Sequence, residues 1–123
     1  MPRPRAPETP ADLLANELAK EKASALGRMG RALEAALAAL AAFDAGHQRD
    51  ALSAEQRQLR ASLVAAAGVA LWHFVVQREA CGLRDMRYVL RDYRVPPDVT
   101  ARMGVVPAEP RAEARAARGR GSR

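Results

Sequence analysis

The chain has 123 residues, a formal net charge of +6, 49% apolar residues and only 4% aromatic ones. That length sets a single domain, and one cysteine excludes an intramolecular disulfide. The MPRPRAPETP start lacks the apolar run of a secretory signal. Alanine supplies 28 residues, there is no isoleucine, and no window alternates apolar and polar with period two. Alanine loses no side-chain entropy in a helix, so an all-α chain is expected and a sheet is not. The basic excess is unevenly placed. Residues 109–123 hold five arginines against two acids, and residues 1–8 hold two arginines against one acid. The foldable body is therefore nearly balanced, which weakens a nucleic-acid or membrane inference from the overall charge. Arginine outnumbers lysine 18 to 2, which together with the alanine content reflects genome base composition.

Residues 1–8 form a Pro-rich polar arm that can bury little surface and is expected to be disordered. Thr9 then offers an N-cap, Pro10 fits the first helical position, and Asp12 completes a capping box. The helix they open is expected over 10–45, stopped at Gly46. Leu14, Leu18, Ala25, Met29, Leu33, Leu37, Leu40 and Phe43 recur near the 3.6 period, and Glu17, Glu21, Ser24, Arg28 and Arg31 form the opposite stripe. Gly27 and Gly30 interrupt it, either as a kink or as a close helix contact in which Ala23 and Gly27 form a small-xxx-small pair. A phosphate-loop reading of GRMG fails for want of a preceding strand and a lysine.

Ser53 and Gln56 form a second capping box, opening a helix over 54–81 that Gly82 terminates. From Leu63 to Val76 this helix is apolar almost all round, so one neighbouring helix cannot cover it. The uncharged run 61–77 is short for a membrane span of about 20 residues and is diluted by Ser62, Gly68, His73 and Gln77, so no membrane insertion is expected. A third helix is expected over 83–93 with Met86, Val89, Leu90 and Tyr93 inward, and a last one over 98–103. Val95-Pro96-Pro97 forces an extended break between them. Residues 105–123 are Pro-, Arg- and Gly-rich and are expected to be disordered. The domain is thus 9–104, an antiparallel helical hairpin with two short C-terminal helices and basic tails.

The chemistry-bearing residues do not converge. Cys81 sits at a helix C-terminus, where the dipole disfavours a thiolate. His47 and His73 are far apart and have no metal-ligand spacing with the lone cysteine. The acids stand three or four residues from lysines and arginines, as solvated helix partners do. No catalytic residue, cofactor site or metal site is therefore expected, and the chain is read as not an enzyme. Arg84, Arg87, Arg91 and Arg94 recur at steps of three and four, a cationic stripe that could track phosphates. With the break that follows, it faintly suggests a helix-turn-helix whose base readers would be Thr100 and Arg102.

Three stretches carry a resemblance: EKASALGRMGRALEAALAAL at 21–40, FVVQREACGLRD at 74–85 and YRVPPDVTARMG at 93–104. Together they resemble an uncharacterised family of short helical bacterial proteins, over most of 13–104. The resemblance implies a bacterial cytoplasmic setting and carries no activity and no functional residue with it.

The sequence reading is a small non-catalytic helical interaction or structural protein, acting through a homodimer or another protein partner. Self-association is expected to use Leu63, Val69, Leu71, Trp72, Val75 and Val76, because an uncovered apolar strip of this length exceeds what monomers expose. The alternatives are a first helix hinged at Gly27–Gly30 and folded back over the second, or a nucleic-acid-binding module using Arg84, Arg87, Arg91, Arg94 and the basic tail.

Overall fold

The computed structural model describes residues 7–104. The disordered arm and tail expected at 1–8 and 105–123 fall outside them, apart from Pro7 and Glu8. Four α-helices follow one another: α1 Pro10–Ala45, α2 Ala54–Ala80, α3 Met86–Asp92 and α4 Pro97–Arg102. A 3-10 turn, Arg49–Ala51, bridges α1 and α2, and the described residues contain no strand.

Both capping boxes form. Asp12 N–H donates to Thr9 Oγ1 at 3.1 Å and Thr9 N–H donates to the Asp12 carboxylate at 3.0 Å. Ser53 and Gln56 repeat the pattern at 3.1 and 2.8 Å. At the other end of α1, His47 stacks on Phe43 and donates from Nδ1 to its carbonyl at 2.7 Å. α2 stops one residue before the sequence expectation. Gly82 turns into the left-handed region at φ 82°, and Leu83 N–H donates back to the Arg78 carbonyl at 2.8 Å.

The third helix is shorter than the 83–93 expected. Leu83 and Arg84 belong to the turn, because Asp85 caps α3 by accepting from Arg87 N–H at 3.0 Å. α3 ends with Arg94 at φ 51°, an L-residue in a conformation that glycine adopts without penalty. The fourth helix begins at Pro97 rather than 98, proline being well suited to a first helical position.

The core is a seam between α1 and α2. Leu33 and Leu40 from α1 meet Val64, Ala67, Leu71 and Phe74 from α2, and Val89 and Val99 close it from α3 and α4. α1 runs unbroken through Gly27 and Gly30. The close contact occurs at Gly30, where a Cβ would lie 3.2 Å from the Tyr93 hydroxyl and 3.3 Å from the Phe74 ring, and not at the expected Ala23–Gly27 pair, where a Cβ on Gly27 would meet only the Arg31 side chain of the same helix. The folded-back first helix does not occur.

What covers the second side of α2 is α4, not α3. Gly68 makes this possible, since a Cβ on it would meet Arg102 Cβ at 3.1 Å and the Arg102 carbonyl at 3.2 Å. An ion network fixes the same corner. Arg60 on α2 forks onto Asp44 at 2.8 and 3.0 Å and reaches Asp98 at 2.8 Å, and Arg49 adds a second contact to Asp98 at 2.8 Å. The hydrogen bond from Arg60 holds the Asp44 carboxyl below its usual range. Burial would raise Asp98, but its hydrogen bond and charge contacts with Arg60 outweigh that and hold it below as well.

Candidate interaction surface

With α1 on one side of α2 and α4 on another, a third side is left uncovered among the described residues. Its central part runs along Ala65, Ala66, Val69, Trp72, His73 and Val76, and the stretch 61–77 carries no charge. Trp72 is 45% exposed and Val76 44%, and Leu59 and Leu83 extend the apolar surface toward the two ends of the helix. The inner edge of Trp72 is not free. A Cβ on Gly104, after α4, would lie 3.7 Å from its indole, so the end of α4 fixes the ring while its outer edge faces water.

The structure divides the six residues expected to self-associate. Leu71 is fully buried beneath α1 and α4 and belongs to the core. Leu63 and Val75 are half-buried and pack against that core. Trp72, Val76 and the half-buried Val69 stand on the open side. Periodicity puts Leu71 and Val75 on a different side of the helix from Trp72 but gives no sign that α4 covers it.

The four arginines of the expected stripe do not share one helix. Arg84 lies in the turn before α3 and Arg94 lies past its end. Arg87 and Arg91 are on α3 itself. Arg87 pairs with Asp85 at 3.3 Å, and this contact, with the Arg87 backbone hydrogen bond, holds Asp85 below its ordinary value. Arg91 pairs with Asp92 at 3.5 Å and lies over the exposed Tyr88 ring at 5.0 Å. Of the expected base readers, Thr100 donates its hydroxyl to the Pro96 carbonyl at 3.4 Å, and Arg102 lies with its backbone against α2.

An open groove runs along the other flank of α1. It is lined by Gly27, Gly30, Glu34, Leu37 and Ala41, with Tyr93 forming its far wall. Burial pushes the Tyr93 phenol above its ordinary value. No group of three or more His, Cys, Asp or Glu side chains converges among the described residues. Cys81 is half-buried, and its thiol reaches the Lys22 carbonyl at 3.9 Å. By length and composition α2 could cross a membrane, and one third of its apolar window is buried inside the chain.

No curated protein and no solved structure matches the chain. A family of unknown function, DUF6665, matches residues 1–111, and the chain belongs to it. The match is wider than the resemblance carried by residues 13–104.

Proposed function

We propose that this member of a family of unknown function is a non-catalytic helical interaction protein whose working surface is the open side of α2. The observation that carries the reading is the uncharged face around Trp72, Val69 and Val76, left bare after α1 and α4 have packed. An apolar strip with an aromatic anchor at its centre is the usual core of a protein interface. The occupant is a second copy or another protein rather than a bilayer. The covering helices carry Arg28, Arg31 and Asp98, and immersing α2 in lipid would take those charges with it. Such a protein would act in the cytoplasm and need no cofactor.

The test is sedimentation equilibrium of the chain and of Trp72→Arg with Val76→Arg. The wild type is expected to exceed one chain mass at tens of micromolar. The variant should keep its helical circular dichroism and sediment as a smaller species. One chain mass for both proteins, with unchanged stability of the variant, removes self-association through this face.

A second reading has one observation in its favour. Tyr88 is exposed beside Arg87 and Arg91, and an aromatic ring among cations can stack on a base of single-stranded nucleic acid. It predicts salt-sensitive binding that survives removal of 109–123 and falls on Arg87→Ala with Arg91→Ala. Binding that vanishes with the tail would remove it.

A further inference from the structure

The two long helices differ in length. α1 has 36 residues and α2 has 27, so at 1.5 Å per residue they span about 54 and 40 Å. They pair at one end of the hairpin, and the excess of α1 projects past the other. Lys22 lies level with the end of α2. Its carbonyl accepts from Gln77 Nε2 at 3.3 Å and from the Cys81 thiol. Every residue from Pro10 to Ser24 is exposed.

The core-facing stripe of α1 does not stop where α2 stops. Leu40, Leu33, Met29 and Leu26 pack in or against the core. Continuing toward the N-terminus at steps of three and four, the same stripe reads Lys22, Leu18, Ala15 and Ala11, with Leu14 beside it. In the projecting part this stripe meets no other helix among the described residues. Leu14 is 62% exposed and Leu18 54%. The apolar face points along the line α2 would follow if it were longer.

We infer that this projecting part of α1 pairs antiparallel with the same segment of a second copy, about a two-fold axis beyond the end of α2. The inference rests on the interaction reading and deepens it by naming a partner and a surface separate from the Trp72 face. In this arrangement the projecting helix of each copy lies in line with the α2 of the other. Leu14 of one copy comes level with Leu18 of the second, and one surface patch serves both chains, as a two-fold interface requires.

Charge selects the antiparallel sense. The outer end of the segment carries Glu8 and Asp12, and the inner end carries Lys22 on the pairing stripe, with Lys20 on the outer side beside Glu17. Antiparallel pairing sets the acidic end of each copy against the lysine end of the other. A parallel pairing would set like against like. Glu17 and Glu21, on the outer side, are already paired within the chain by Lys20 at 3.6 Å and Arg28 at 3.3 Å. Among the described residues Lys22 makes no ion pair. The overlap is short, so the buried area falls below the roughly 1,200 Å² of a tight complex and the association is weak, on the order of tens of micromolar.

Two measurements on the full chain test this pairing. In the first, Leu14→Glu with Leu18→Glu is compared with the Trp72→Arg, Val76→Arg variant by sedimentation equilibrium up to a few hundred micromolar. Both leucines are more than half exposed, so circular dichroism and the urea midpoint of the dilute protein should not change. The Trp72-face variant is expected to retain a dimer, and adding Leu14→Glu with Leu18→Glu to that variant is expected to weaken the remaining association at least tenfold. In the second, amide hydrogen exchange of residues 10–22 should slow as protein concentration rises, while exchange in α2 around Ala67–Leu71 should not. A Trp72-face variant that sediments as one chain mass throughout would overturn the pairing, as would exchange at 10–22 that ignores concentration. Association lost only through the Trp72 face would leave the first reading standing and this one refuted.

Discussion

The backbone of Arg102 crosses α2 directly over Gly68, so closely that a Cβ on Gly68 would meet the Arg102 carbonyl carbon and oxygen at 3.2 Å. Adding that Cβ favours the helix by about 1 kcal/mol, but the atoms it meets are backbone and overpacking costs about 1–3 kcal/mol. Gly68→Ala is therefore expected to destabilise the fold by about 1 kcal/mol in urea denaturation. It should also lift α4, and with it Gly104, off the Trp72 ring. Trp72 is the only tryptophan, so its emission should shift to the red.

Two other positions should respond in the opposite direction. At Gly27 the only close neighbour of an added Cβ is the far end of the Arg31 side chain, at 3.3 Å, which can swing away. Gly27→Ala should stabilise by about 0.5–1 kcal/mol through helix propensity alone. Arg94 holds φ 51° at the end of α3, which costs an L-residue about 1–2 kcal/mol, so Arg94→Gly should also raise the thermal midpoint.

Arg60 ties the end of α1, the start of α2 and the start of α4 together through Asp44 and Asp98. Its side chain is only 13% exposed, so removing it leaves Asp44 without its partner and Asp98 with Arg49 alone. Arg60→Ala is expected to lose about 2 kcal/mol by chemical denaturation. A double-mutant cycle with Asp44→Ala should recover part of that loss, since the second change removes the stranded charge.

The same network contributes to the acid response, beside Asp12 and Asp85, which also titrate below their ordinary value. Asp44 and Asp98 both titrate below their ordinary value in the folded chain. In the unfolded chain they return to about 3.9, so near pH 4 the unfolded state binds more protons and stability rises with pH. Their contribution is complete above about pH 5 and is lost as pH falls through the lower folded values. Urea midpoints measured from pH 7 to pH 3 should be flat at first and then fall. In Arg60→Ala the fall should be shallower.

The sequence by itself determined the local structure. Two capping boxes, Pro10 and the left-handed stop at Gly82 are short-range features, each set by a backbone group and a side chain a few residues apart. The 3.6-residue spacing of Met29, Leu33, Leu37 and Leu40 likewise determined which side of α1 faces inward, because alignment along a helix needs no knowledge of the neighbour. The expectation that α2 needs more than one covering element followed from its apolar circumference. Its coverer did not. Periodicity says that Leu71, Trp72 and Val75 lie on different sides of one helix, but not which side meets water. Only the tertiary structure decided that, through the bare backbone of Gly68, which admits α4 and sends Leu71 into the core while leaving Trp72 and Val76 outside. It also decided that Arg84 and Arg94 leave α3, and that Asp44 and Asp98 converge on Arg60 from residues 16 and 38 positions away. Those outcomes depend on contacts between segments distant in the chain, where the geometry of close approach rather than local propensity selects the arrangement.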